Sequence, residues 1–186
     1  MKKEIVGEFF KFLRRKESRD IPFFLYGNIV QMPERMVIEG DLSIFDTDLE
    51  WYSLEKFYFP ETLEVRGDLR LFGSRYDILP ETLTIQGNVG FSGLEPHHIF
   101  PKQVLAKSVL FGETTIKDIS FNIRTKNYLS IEESKIEKIS GKLEVGTTFF
   151  CGDAPLSEKY TEEEIKKMIE DRGGSFHKID TSVEEY

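Results

Sequence analysis

Cysteine is almost absent from this chain, and long apolar runs are absent altogether. The single cysteine, Cys151, cannot form an intrachain disulfide, which is typical of a protein from a reducing compartment. No stretch approaches the roughly 20 consecutive apolar residues of a membrane-spanning helix. The opening segment, MKKEIVGEFFKFLRRKESRD, has no apolar run long enough for a signal peptide. These absences predict a cytoplasmic protein that makes no use of a membrane.

The composition also lacks an excess of basic residues. Lys and Arg number 25 against 33 Asp and Glu, so the formal charge is −8 and the pI is about 5.1. Binding to a nucleic-acid backbone or an anionic membrane requires a basic face, so we expect neither. A basic protein partner stays open. The 186 residues indicate one domain spanning 1–186, and 39% hydrophobic content is enough for a core.

Motifs of known chemistry are missing as well. The sequence contains no phosphate-binding loop, no dinucleotide fingerprint, no Gly-x-Ser-x-Gly and no zinc-ligand spacing. His97 and His98 would point opposite ways on an extended chain, and no third ligand is near, so we expect an incidental pair rather than a metal site. Glu132, Glu133 and Glu137 could be paired acids for hydrolysis, but a solvated face is the expected interpretation. We predict no enzyme activity and no cofactor.

What the sequence does contain is a repeat with a step of twenty. LPETLTIQGNVGF (79–91) repeats FPETLEVRGDLRL (59–71). Two apolar sets continue the step along the chain: Leu69, Val89, Val109, Leu129 and Phe149, and two residues later Leu71, Phe91, Phe111, Ile131 and Cys151. The positions six residues and four residues before each member of the first set are also apolar, except at Gln103 and Thr125. This register predicts that Leu105 also faces the core. An earlier copy, MVIEGDLSI, precedes a seven-residue insertion.

The apolar step within each copy is two, which is the period of a strand with one buried face. Twenty residues fit one coil of a solenoid, so we predict a mainly β fold of stacked parallel strands, with six coils over 32–157. Glycine at the middle of the early copies (Gly40, Gly67 and Gly87) indicates a bend or a close backbone approach. In the later copies this place holds Lys107, Asn127 and Thr147, so the bend is looser or made differently there. Cys151 lies on the inward series and is expected to pack in the core.

Both ends of such an array need covering. Residues 1–20 carry an apolar helical stripe and predict an N-terminal capping helix. Residues 158–186 predict a C-terminal capping helix and a tail. In that segment Thr161 and Glu164 have capping-box spacing, Gly173 and Gly174 end the helix, and SFHKID adds a short strand.

The phrases SVLFGETTIKDI and NYLSIEESKIEKI resemble the short-period bacterial leucine-rich repeat, in which Leu-x-Leu forms the strand. A small polar residue of that repeat bonds the turn backbone, and Thr47, Ser74, Thr114 and Ser134 stand where the family usually has Asn. The chain from about 32 to 175 is also similar to repeat proteins of phage and prophage genomes and to bacterial leucine-rich-repeat effectors. The Gly-centred double strand departs from that pattern and would suit a β-solenoid rather than an arc-shaped horseshoe.

Arrays of this kind serve mainly as binding surfaces, so the resemblance implies a non-enzymatic protein-binding module. For an acidic phage protein it further implies an inhibitor of a host defence complex of the CRISPR type, in which the chain occupies a basic nucleic-acid channel. The alternative is a self-assembling structural repeat protein. Fold does not fix function, and the oligomeric state stays open.

The predicted contact surface combines outward strand positions with the aromatic insertion. The outward positions are Phe45, Arg70, Phe72, Leu110, Glu132 and Phe150, and the insertion contributes Trp51 and Tyr52. Aromatic anchors often dominate interface energies. The outward apolar side chains are covered either by another part of the chain or by a partner, and the insertion has an alternative role as a cover for the first coils.

Overall fold

The computed structural model describes residues 35–38, 40–45, 61–72, 79–96 and 99–182, and for 35–38, 43–45 and 72 the description is confined to the backbone. The described residues form fifteen strands and two helices. The strands are β1 (Arg35–Ile38), β2 (Leu42–Phe45), β3 (Thr62–Val65), β4 (Leu69–Phe72), β5 (Thr82–Ile85), β6 (Asn88–Ser92), β7 (Gln103–Ala106), β8 (Ser108–Gly112), β9 (Asp118–Ile119), β10 (Asn122–Thr125), β11 (Leu129–Ser130), β12 (Lys138–Ile139), β13 (Leu143–Val145), β14 (Thr148–Phe150) and β15 (Lys178–Asp180).

The strands form three parallel sheets. Sheet A has the order β1-β3-β5-β7-β10-β13, sheet B has the order β2-β4-β6-β8-β11-β14-β15, and sheet C pairs β9 with β12. Along the chain a strand of sheet A is followed by a strand of sheet B, and the chain then returns to sheet A beside its previous strand. The predicted mainly β fold of stacked parallel strands is therefore confirmed. It is a β-solenoid with a period of about twenty residues.

Alternate side chains of strands such as β3, β5, β6 and β10 fill the space between sheets A and B. Val89 is the register partner of Val109, and Val109 is the partner of Leu129, with no exposure at any of the three. Phe91 and Phe111 stack on each other with ring centroids 5.2 Å apart. Each such side chain stabilises the fold by roughly 1.5–3 kcal/mol, and each is buried only because the neighbouring coil covers it.

The predicted inward register is wrong in one strand of sheet A. Gln103 is exposed and Leu105 is half-buried, whereas Val104 and Ala106 are buried. Because side chains alternate with a period of two, a shift by one residue moves the whole strand to the other face. The shift places Val104 in the core, where the twenty-residue step had placed a glutamine.

The shift is confined to sheet A because the next corner compensates for it. Gln86 and Gly87 separate β5 from β6, but Lys107 alone separates β7 from β8. Across sheet A the partner of Leu83 is Val104, twenty-one residues on, whereas sheet B keeps its step of twenty.

The corner between sheets A and B brings successive backbones into close contact. A Cβ atom at Gly87 would lie 2.7 Å from the carbonyl oxygen of Gly67, and one at Gly67 would lie 2.6 Å from the carbonyl carbon of Gly40. The carboxylate of Asp68 fills the remaining space and accepts a hydrogen bond from the Asn88 N–H at 2.8 Å. The predicted close approach at these glycines is confirmed.

We call the hydrogen-bonded column at this corner the corner ladder. In it the backbone N–H of each member donates to the carbonyl oxygen of the preceding member, at 2.8–3.1 Å. Its members are Gly40, Gly67, Gly87, Lys107, Asn127, Thr147 and His177. The ladder therefore continues through the later coils although glycine no longer occupies this place.

Of the four small polar residues compared above with the Asn of leucine-rich repeats, Ser134 bonds the turn backbone as expected. Its hydroxyl donates to the Ile131 carbonyl at 2.5 Å and accepts from the Ile136 N–H at 3.3 Å. The Thr114 hydroxyl is buried and has no hydrogen-bond partner among the described residues. Thr47 and Ser74 lie outside the described residues.

The C-terminal end of the solenoid is covered by two helices, α1 (Pro155–Lys159) and α2 (Glu162–Glu170). Thr161 caps α2 through both bonds of a capping box with Glu164, and the buried Ile165 and Ile169 face the core. Strand β15 then pairs with β14. The predicted C-terminal helix and short strand are confirmed, whereas the predicted N-terminal helix over 1–20 lies outside the described residues. No helix in the described part of the chain is long and apolar enough to cross a membrane.

Candidate functional site

The outward side of sheet B, here called the outer face, brings several of the predicted contact residues into one row. The row consists of Ser43, Arg70, Gly90, Leu110, Ser130, Phe150 and Asp180, each the register partner of the next. Successive members are separated by one strand spacing of about 4.8 Å. The row therefore runs along the length of the solenoid.

Leu110 is the exposed apolar side chain at the centre of this row, with 37% of its surface accessible. Its row neighbour on one side is Gly90, and Gly112 follows it by two residues in the same strand. A Cβ atom at either glycine would have no neighbour within 4 Å. The centre of the outer face is therefore flat and open, with Leu110 projecting from it.

Phe150 and Arg70 lie on either side of this centre. Phe150 is half-buried and meets Tyr128 edge to face, with ring centroids 5.8 Å apart. Arg70 is exposed, and its guanidinium lies 3.6 Å from the carboxylate of Asp68. The exposed ion pair of Arg70 contributes little to stability, so its guanidinium can contact another molecule at little cost.

Four other residues belong to the predicted contact surface, namely Phe45, Phe72, Trp51 and Tyr52. Phe45 and Phe72 are register partners in β2 and β4, but their side chains lie outside the description. Trp51 and Tyr52 lie wholly outside the described residues. Their proposed roles stay predictions.

A cavity of about 270 Å³, here called the acidic cleft, opens beside Leu110. Its lining consists of Leu110, Phe111, Gly112, Ser130, Glu132, Glu133 and Asp153. The Glu132 carboxylate accepts a hydrogen bond from the Ser130 hydroxyl at 2.9 Å. Glu133 and Asp153 are exposed. Sequence reasoning named Glu132 as a contact residue but assigned no binding role to the other two carboxylates.

A step of twenty also relates Glu133 and Asp153 to each other. Gly93, Glu113, Glu133 and Asp153 all have left-handed backbone, with φ of 71°, 48°, 58° and 53°. Residues other than glycine are uncommon in this conformation, which costs about 1–2 kcal/mol. The turn after sheet B therefore repeats with the same geometry, and in successive coils it carries an acid.

Cys151 is fully buried, which confirms the predicted core position. Burial, and to a smaller extent the nearby carboxylates of Glu162, Glu132 and Asp180, raise the pKa of its thiol to about 12. The thiol is therefore protonated at neutral pH, whereas a nucleophilic cysteine needs the thiolate.

Glu137 lies apart from the acidic cleft. Its carboxylate accepts a hydrogen bond from Lys159 and lies 3.4 Å from Lys117. These contacts, that with Lys159 foremost, lower the pKa of Glu137. The structure therefore does not bring Glu137 together with Glu132 and Glu133 as paired acids.

A second charged cluster lies on sheet A, where Glu144 accepts hydrogen bonds from Arg124 and Lys142. These two bonds, that from Arg124 foremost, lower the pKa of Glu144 to about 2. In this cluster one carboxylate is paired with two basic side chains, whereas the lining of the acidic cleft contains three acids and no basic residue. No group of three or more potential metal ligands occurs within the described ranges, and His97 and His98 lie outside them.

Comparison of the chain with protein-family models, with curated proteins and with solved structures finds no match.

Proposed function

We propose that this chain is a non-enzymatic protein-binding module whose contact surface is the outer face, together with the aromatic insertion around Trp51 and Tyr52. The observation that carries the proposal is the exposure of Leu110 between two glycines with open space above them. Apolar side chains that project from a flat, regular surface are favourable anchors for a partner.

The geometry of the outer face favours an extended protein partner. A solenoid presents one residue per coil in each row, so the row from Arg70 to Phe150 spans five strands of sheet B. An extended row of this kind spreads its functional groups over a long surface, whereas catalysis needs them to converge on one point.

The narrower proposal is a phage-encoded inhibitor of a host defence complex of the CRISPR type. It combines the resemblance to phage repeat proteins with the charge of the chain, which is −8. In this proposal the carboxylates beside Leu110 meet a basic channel that otherwise holds nucleic acid, and the chain acts in the host cytoplasm without a cofactor.

Self-assembly of the chain is the alternative, and the edge strand at the end of sheet B argues against assembly by strand addition. Its terminal strand, β15, is three residues long and carries an ion pair between Lys178 and Asp180 at 2.7 Å. Short edge strands with charged side chains discourage the addition of another strand.

The test uses a charge placed on the outer face and an identical change elsewhere. Leu110→Glu alters the face, and Ile99→Glu is the matched control, because Ile99 is also an exposed apolar residue, with 58% of its surface accessible. In affinity capture from cells of the native host, followed by crosslinking, we expect Leu110→Glu to lose a protein that the original chain and the control retain.

Light scattering of the purified chain tests the alternative in parallel. A monomer that captures a partner through Leu110 supports the proposal. Equal capture by both variants, or a multimer that Leu110→Glu disperses, would refute it.

A further inference from the structure

We propose that the fourth coil, residues 102–117, is the point at which the solenoid opens locally, ahead of the coils on either side of it. This coil contains β7 and β8, and it presents Leu110 at the centre of the outer face. The inference concerns a motion of the fold rather than a binding event, so it goes beyond the proposed function and does not depend on it.

Two buried hydroxyl groups of this coil lack hydrogen-bond partners. Ser108 is the first residue of β8 and has no exposed surface, and Thr114 follows the same strand with 1% exposure. Among the described residues, no other buried side-chain oxygen or nitrogen is without a partner. A buried polar group of this kind has lost its bonds to water on folding, and opening restores them. Both hydroxyls therefore favour opening of the same coil.

The positions that correspond to Thr114 in the neighbouring coils carry no such cost. Twenty residues later, the Ser134 hydroxyl bonds two backbone groups of its own turn. Leu94 and Ala154, which lie one step before Thr114 and two steps after it, are buried side chains without a polar atom. The unpaired hydroxyl is therefore a property of the fourth coil and not of the repeat.

Ser108 is buried although it lies on the outward side of sheet B. Side chains alternate along β8, and Val109 faces the core, so Ser108 shares the outward side with Leu110. Asn88 and Tyr128, twenty residues before and after Ser108, are half-buried and keep some contact with water. The Ser108 hydroxyl therefore reaches water only when the coil opens.

The corner of this coil is also the one that absorbs the register shift of sheet A. Lys107 alone separates β7 from β8, and Ser108 follows it directly. Ligand-binding elements are often among the less stable parts of a protein. Because Leu110 lies in β8, opening of the fourth coil would interrupt the row on the outer face at its centre, and a molecule bound across the closed row would hold this coil shut.

Native-state hydrogen exchange followed by NMR tests the inference at four successive bonds of the corner ladder. The amides of Lys107 and Asn127 donate across the two boundaries of the fourth coil, whereas those of Gly87 and Thr147 donate across the next boundary on either side. The four bonds are 2.8–3.0 Å long. Opening of the fourth coil breaks the middle two alone, so we expect their protection factors to be lower by about tenfold or more. Fraying from the ends would give the opposite order.

Thr114→Val tests the cause, because valine has the shape of threonine without the hydroxyl. Ser134→Ala is the matched control, because it removes a hydroxyl that has partners. We expect Thr114→Val to raise the protection factor of the Lys107 amide by about tenfold. Ser134→Ala should lower the protection factor of the Thr147 amide. Ser108→Ala should act in the same direction as Thr114→Val, so the result does not depend on one site.

Equal protection at the four amides, or lower protection at Gly87 and Thr147 than at the middle two, would overturn the inference whatever the variants show. A loss of protection at Lys107 in Thr114→Val would also overturn it, because that result would mean that the hydroxyl is bonded through a buried water molecule. Lower protection at the middle amides, together with its recovery in Thr114→Val, would support the inference.

Discussion

Replacement of Gly87 by alanine places a methyl group inside the corner between sheets A and B. The new Cβ would lie 2.7 Å from the carbonyl oxygen of Gly67 and 2.8 Å from its carbonyl carbon, and it would overlap the carboxylate of Asp68. The carboxylate can rotate away, but the backbone of Gly67 is held in the corner ladder. The two coils must therefore separate locally.

The cost follows from the hydrogen bonds that this separation breaks. Moving the oxygen from 2.7 Å to roughly 3.4 Å lengthens the 3.0 Å bond between the Gly87 N–H and the Gly67 carbonyl beyond a useful distance. Rotation of Asp68 also removes its bond to the Asn88 N–H. The two losses cost about 2–4 kcal/mol. The reduced entropy of the unfolded chain offsets about 0.4–1 kcal/mol, so we expect a net loss of about 1–3 kcal/mol.

Gly90→Ala is the matched control, because the same change is made three residues away. Its Cβ would meet nothing within 4 Å, and the backbone of Gly90 is not left-handed. We expect this variant to gain about 0.4–1 kcal/mol. Urea unfolding followed by circular dichroism gives both free energies, and the two variants should differ in sign.

A loss of similar size in both variants would show that glycine is needed throughout this segment for its flexibility. No loss in either variant would show that the coils are not in close contact at Gly87. Either result would refute the argument from the corner ladder.

Three further predictions address the core, the cysteine and the acid response. Val109→Asp should abolish the cooperative thermal transition, because it buries an unpaired charge between Val89 and Leu129; a retained transition would mean that the register is wrong. Cys151, whose pKa is raised to about 12, should resist iodoacetamide at pH 8 until the chain is unfolded, and labelling of the native protein would contradict its burial. The pKa of Glu144 is lowered in the folded chain from 4.5 to about 2, so its contribution to stability is present above pH 4.5 and is lost as the pH falls toward 2. Glu144→Gln should therefore flatten the fall in stability across that range, and an unchanged acid titration would contradict the assignment.

The step of twenty predicted the core because parallel coils in register place equivalent residues against each other. Val89, Val109 and Leu129 follow this rule, and so does the inward position of Cys151. Gln103 does not, because an extra residue before β7 is cancelled by a shorter corner after it. The apolar series of sheet B stays in phase through this region, so its periodicity contains no trace of the shift. The polar residue at 103 next to an apolar residue at 104 was the one available signal.

The row through Leu110 could be predicted from strand alternation, whereas the acidic cleft could not. Glu133 and Asp153 lie in turns, and hydrophobic periodicity says nothing about polar turn residues. Their common left-handed backbone depends on how the turn leaves sheet B. The glycine at position 93, twenty residues before Glu113, was a hint of that conformation, but a glycine alone does not predict the acids that replace it in later coils.

The corner ladder also determines how the molecule would respond to mechanical force. Each of its members bonds only to the coil before and the coil after, so tension applied to the two ends loads one coil boundary at a time. The coils should then unfold one after another from an end, each in a discrete event. One twenty-residue coil has an extended length of about 68 Å and occupies only about 4.8 Å of the stack. Optical-tweezers traces should therefore show a staircase with steps of roughly 60 Å, at forces well below those needed to shear a whole sheet.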